Sequence, residues 1–183
     1  MVSAFSRATR TTAPYHIGIT GHRNLGNAAT FYFVTRALHT LLADAQHRHA
    51  EGIVALFGMA EGTDTLFAQI ALNLNIPLIA VIAYAGFIDD FPPSPLRQQY
   101  QHLVSRCQTV YTLPFATRSD EAYMAAGCWL ADHSDLLVAV WNGQPAAGRG
   151  GTGDVVAYTR RIGRPIIHIH TIEHTVRSLP YAG

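Results

Sequence analysis

Apolar runs alternate along the chain with segments whose apolar residues recur every three to four positions. Strands are predicted at 15–20, 53–57, 77–83, 108–112, 135–140 and 165–170, and helices at 28–50, 62–74, 95–106, 119–133 and 151–162. The strand runs are rich in Val, Ile, Leu and Ala without polar alternation, as expected of strands buried on both faces. Helical periodicity is clearest in the first helix, where Phe31, Val34, Leu38, Leu41 and Leu42 fall on one face. Strand and helix in strict alternation imply a parallel sheet with right-handed crossovers. The expected fold is therefore α/β, a three-layer Rossmann-like sandwich with a mainly parallel sheet of about six strands. Residues 1–13 read as a flexible N-terminal tail and 14–183 as a single domain. The longest irregular stretch, "AYAGFIDDFPPSP", is a candidate lid or pocket wall.

Composition narrows the function classes. The 183 residues are 49% apolar and 14% charged, with a net charge of +1. Such a chain can bury a continuous core and is not of the disordered class. All thirteen basic residues are Arg, scattered rather than gathered into a stripe, which disfavours nucleic acid as a partner. Cys107 and Cys128 lie in separate segments without metal-ligand spacing and read as free thiols of a reducing cytosol. No apolar run approaches the ~18 residues of a membrane span. The start of the chain lacks the apolar stretch of a signal peptide, so a cytoplasmic location is expected. The ten histidines do not cluster at ligand spacing, and "HIH" (His168, His170) reads as an end strand with both rings on one face. Neither a metal nor a cofactor is expected.

In sheets of this kind ligands bind outside the carboxyl ends of the strands. Those ends carry "GHRNLG" after the first strand, "GMAEGTD" after the second, "YAGF" after the third and "WNGQPAAGRGGTGD" after the fifth. Glycine lets a ligand approach backbone N–H groups, and a helix N-terminus adds unpaired donors and partial positive charge. Gly150, Gly151, Thr152 and Gly153 form a candidate phosphate cradle, although glycines there also serve tight turns. Arg23 could pair with a phosphate or cap a neighbouring helix, and His22 could meet a ligand or close its turn. Gly21, Gly58, Met59, Ala60 and Gly62 complete the candidate rim. Glu61, Asp64 and Asp154 would repel a phosphate, so they suit ribose hydroxyls or helix capping. Trp141, beside Asn142, and Tyr84 could stack on a base or seal the core edge. Tyr123 and Met124 read as core. No Walker A lysine, nucleophile elbow or GxGxxG fingerprint is present.

"GITGHR", then "GMAEGTD", then "DLLVAVWNG…GRGGTGDVV" resemble, in order and spacing, the SLOG superfamily of DprA-like and LOG-like Rossmannoid proteins, over about residues 15 to 170. The early "GHR" resembles its YpsA and YspA branches. The resemblance implies a Rossmann-like fold with a pocket for a nucleotide or nucleotide-derived ligand. LOG phosphoribohydrolases carry "PGGxGTxxE" at the last loop and an Arg on the preceding helix. Here that loop is "GRGGTGDVVAY", the acid is Asp154, and "EAYMAAGCWLADH" holds no Arg.

The expected function is thus a ligand-sensing module for a nucleotide-derived small molecule: ADP-ribose, cyclic ADP-ribose, an NAD metabolite or a nucleoside monophosphate. It would report binding through homo-oligomerisation or an effector protein partner. The alternatives are a LOG-like hydrolase of an N-glycosidic bond, with Glu61 or Asp154 as its carboxylate, and DprA-like binding of single-stranded DNA.

Overall fold

The computed structural model describes residues 13–145 and 148–180, apart from the side chain of Asp90. Residues 1–12 of the expected tail, Ala146 and Ala147 of the fifth loop, and residues 181–183 lie outside the described residues. The elements run β1 (Tyr15–Gly21), α1 (Ala28–Arg48), β2 (Ile53–Phe57), α2 (Thr63–Asn73), β3 (Leu78–Ile82), α3 (Pro95–Arg106), β4 (Thr109–Thr112), α4 (Asp120–His133), β5 (Leu136–Trp141), α5 (Thr152–Arg161), β6 (Ile166–His170) and β7 (Thr175–Leu179). A short 3-10 turn at Phe87–Asp90 interrupts the irregular segment after β3.

The seven strands form one sheet in the order β4-β3-β2-β1-β5-β6-β7, parallel except for β7, which pairs antiparallel with β6. From β1 the chain steps outward to β4, then returns to lay β5 against the other side of β1. The order reverses at the β1–β5 boundary. Right-handed crossovers then assign α1, α2 and α3 to one face and α4 and α5 to the other. The helix contacts agree: α1 packs on α2 and α2 on α3, whereas α4 packs on α5.

The larger buried cluster joins Ile17, Ile19, Val138, Val140 and Ile169 of the sheet to α1 and α2 and reaches Ala122, Ala126 and Leu130 of α4, while a smaller one sets Leu137, Ala139 and Ile166 against Val155 and Val156 of α5. β2, with all five residues buried, is the inner strand that its unbroken apolar run predicts.

Three expectations need correction. The sheet has seven strands, because β7 ("TVRSL") leaves four of its five residues exposed and so shows no apolar run. β6 is consequently not the end strand. On α1, Val34, Leu38 and Leu42 are fully buried, but Phe31 is 51% exposed. Thr30 turns inward in its place, with Oγ1 donating to the Thr171 carbonyl at 3.5 Å and meeting His174 Nε2 at 3.1 Å.

Candidate functional site

The loops after β1, β2 and β5 and the first turns of α4 and α5 converge at the strand-order reversal around a cleft of about 510 Å³. This is where an open α/β sheet leaves a crevice, since the helices on either side of the reversal lie on opposite faces.

β1 continues past its end through a bond from His22 N–H to the Val140 carbonyl at 3.0 Å. The His22 ring then ties the two loops together, its Nε2 accepting from Asn142 N–H at 3.2 Å. Thr63, at the start of α2, donates both its N–H (3.2 Å) and its hydroxyl (2.8 Å) to the His22 carbonyl. Gly62 just before it has φ of +78°, and a Cβ there would collide with the backbone of Arg23. The loops after β1 and β2 touch at that point, which glycine alone permits.

Asp64 forms the cleft floor beneath the β2 loop. It is 6% exposed, and its Oδ2 accepts from the N–H groups of Gly58 (3.1 Å) and Ala60 (3.2 Å). Burial pushes its pKa from 3.8 up to about 7, against the lowering effect of those two bonds and of the Arg23 charge. The folded protein therefore holds a proton between pH 3.8 and about 7 that the unfolded chain has lost. Stability is predicted to fall as pH rises through that window and to level off above it. Asp64→Asn keeps an oxygen for both N–H donors and should flatten the slope. Chemical denaturation across the pH range measures this, and an unchanged slope in the variant would assign the dependence to another group.

On the β5 side, Trp141 Nε1 donates to the Gln144 carbonyl at 2.7 Å. The Trp141 carbonyl accepts from His168 Nε2 at 3.0 Å and from Thr171 N–H at 3.1 Å. His168 is buried, and burial lowers its pKa, so it acts as a neutral donor that fixes the end of β5.

α5 begins at Gly151, which offers no side-chain cap. Gly150 before it has φ of +85°, and a Cβ there would lie 2.8 Å from Met124 N of α4. Its lack of a side chain thus serves close packing of the loop on α4. The Asp154 carboxylate turns back to accept from Gly150 N–H at 2.9 Å.

Of the residues singled out from sequence, Gly21, His22, Arg23, Gly58, Ala60, Asp64, Trp141, Asn142 and Gly150 to Gly153 all line this cleft. Met59 and Tyr84 do not, being 1% and 2% exposed within the core. Gly62 and Asp154 support the loops from behind. Glu61 is exposed and faces a side recess of about 100 Å³, shared with Phe87, Phe91, Arg118 and Tyr123. The irregular segment after β3 therefore forms the wall of that recess.

Arg118 and the first turn of α4 also belong to the cleft, outside the loops that the sequence pattern marks. Arg118, Asp120 and Tyr123 line the cleft, and Arg149 sits at its rim, paired with Glu121 at 3.6 Å. The guanidinium groups of Arg23 and Arg118 lie 5.1 and 5.7 Å from the Tyr123 ring centroid, so one ring carries two cations at the mouth. The available signal was positional. The loop after β4 opens at the same sheet end as the others, but it lacks glycine and starts α4 with a Ser119 cap accepting from Ala122 N–H.

Among the described residues no group of three or more His, Cys, Asp or Glu side chains could hold a metal ion, and no helix is long and apolar enough to cross a membrane. Cys107 and Cys128 are free and half-buried.

No family model and no curated protein matches the sequence. Among solved structures, DNA processing protein A (DprA) from Streptococcus pneumoniae superposes with a TM-score of 0.60 at 18% identity, covering 85% of this chain and 50% of that one. The chain thus spans half the length of that protein. At such low identity the likeness is one of architecture, and the fold of this chain is DprA-like: a Rossmann-like sandwich with a mostly parallel, seven-stranded sheet.

Proposed function

We propose that the cleft binds a nucleotide-derived small molecule, the chain being a SLOG-type ligand-sensing domain. The observation that carries this reading is the convergence of Arg23, Arg118 and the uncapped start of α5 on one crevice at the strand-order reversal. Phosphate lies against the N–H groups of Thr152 and Gly153 and the two guanidinium groups, where backbone donors and positive charge coincide, Gly151 N–H being held by the Gly148 carbonyl. Asp64 fits such a ligand because a carboxyl half-protonated near neutrality removes negative charge from the floor of an anion site. The base occupies the recess between Phe87, Phe91 and Tyr123, with the Glu61 carboxylate available to an exocyclic amine. This replaces Tyr84 as the stacking partner and leaves Trp141 to the ribose side.

A LOG-like hydrolase would need a carboxylate free to meet the sugar, but Asp154 is engaged by Gly150 and Glu61 faces the recess. Single-stranded DNA would call for a basic track, which a net charge of +1 does not supply.

A thermal-shift panel tests the proposal, using AMP, ADP, ATP, NAD, ADP-ribose, cyclic ADP-ribose, cytokinin-type nucleotides and short DNA, with products followed by chromatography. A ligand at ~100-fold its Kd should stabilise by ~2.7 kcal/mol and raise Tm by several degrees, unaltered in the process. Release of free base would transfer the assignment to a hydrolase, and a panel without any shift would reject the nucleotide cleft.

A further inference from the structure

A second surface lies on the other side of α1, far from the chemistry of the cleft. There α1 and the sheet enclose an apolar groove of about 680 Å³, walled by Phe33, Ala37 and Leu41 of α1 and floored by Leu136, Ile167 and Val176. The topology explains it, since α4 and α5 lie on the opposite face and leave this side of β5, β6 and β7 to α1 alone. Val176 stands 52% exposed on the floor and Tyr32 63% exposed on the rim.

The rim is an unbroken row at four-residue spacing: Tyr32, Arg36, Thr40, Asp44 and Arg48, all exposed and all lining the groove. Residues so spaced form one ridge along a helix. The row is self-complementary about its middle. If two copies of α1 pack antiparallel on a two-fold axis at Thr40, position 36 faces position 44 and position 32 faces position 48. Arg36 of each copy then meets Asp44 of the other, and Tyr32 of each meets Arg48. In that arrangement Tyr32 of each copy would also come near the other's Tyr15, whose ring stacks on His49 at 3.9 Å. Within one chain the partners that Arg36 and Arg48 have among the described residues are weak and exposed. Arg36 lies 5.8 Å over Tyr32, and Arg48 pairs with Asp44 at 3.3 Å. Such pairs exchange partners at little cost.

From this charge pattern we infer that the groove is covered by a second copy of this chain, in a two-fold dimer whose axis passes through Thr40 of α1. The interface is isologous, so each charge pair occurs twice. It is independent of what the cleft binds.

Sedimentation velocity on the full chain tests it. The wild type should sediment as a dimer at tens of micromolar. Arg36→Asp and Asp44→Arg should each be monomeric, with dimerisation weakened on the order of 100-fold or more, because each places like charges opposite one another twice. An equimolar mixture of the two variants should regain the dimer, since positions 36 and 44 again face opposite charges across the axis. That recovery excludes misfolding as the reason the single variants fail. A monomeric wild type, single variants that dimerise like the wild type, or a mixture that stays monomeric would each overturn the assignment.

Discussion

Gly62→Ala is expected to cost the protein about 3 kcal/mol or more of stability, the largest loss of any methyl addition at the loops of the cleft. Two effects combine. The backbone at Gly62 has φ of +78° and ψ of −113°, a conformation that residues with a Cβ rarely adopt. The added methyl would also fall on the carbonyl group of Arg23, which is backbone and cannot rotate away. Relief would require the loops after β1 and β2 to part, breaking the two bonds from Thr63 to the His22 carbonyl. Gly26→Ala is the control, because Gly26 has a similar φ of +80° but nothing within 4 Å of its added Cβ. That variant should lose about 1 kcal/mol, the backbone contribution alone. Urea denaturation with unchanged m-values reads both. Equal losses in the two variants would show that contact between the loops does not constrain the structure.

Removing the Arg23 side chain should weaken nucleotide binding on the order of 10- to 100-fold while leaving the unfolding midpoint almost unchanged. The side chain is exposed, resting over Tyr123 at the cleft mouth, so little packing is lost. Arg23→Lys should recover only part of the affinity, because an ammonium lacks the planar fork that grips a phosphate with two bonds. Arg118→Ala should act in the same direction. The double variant should lose less than the sum of the two, since both guanidinium groups share the Tyr123 ring. Calorimetric titration with ADP-ribose or AMP gives the comparison. Equal affinity in Arg23→Ala and the wild type would remove Arg23 from the binding surface.

The architecture was legible because five strands are inner and apolar, because β4, though at an edge, keeps a short β-branched and aromatic run, and because the helices between them repeat at helical spacing. β7 was not legible: its side chains face solvent on a sheet edge, and backbone pairing with β6 leaves no mark on composition. Phe31 shows the limit of periodicity, since it falls in step with Val34 and Leu38 but lies in the first turn, where Thr30 has polar partners inside. In the cleft, glycine-rich loops and the switch-point rule brought together the β1, β2 and β5 ends. Tyr123 packs against the core as its spacing predicts, but that spacing does not reveal that its turn of α4 also opens onto the cleft. Gly150 carries a different lesson, since its need for glycine comes from Met124 and Asp120 of α4, some thirty residues away in the chain. Asp64 could be placed at a helix start from sequence, but its raised pKa comes from burial that only the folded loops create.

On the proposed reading, the phosphate of a nucleotide rests at the start of α5, across the β1–β5 boundary. Amide proton–nitrogen correlation spectra recorded during titration with AMP or ADP-ribose test it residue by residue. Saturable shifts are expected to concentrate at Gly151, Thr152 and Gly153 and at His22 and Arg23, with the α1 groove unaffected. Shifts confined to other surfaces, or none with either ligand, would contradict it.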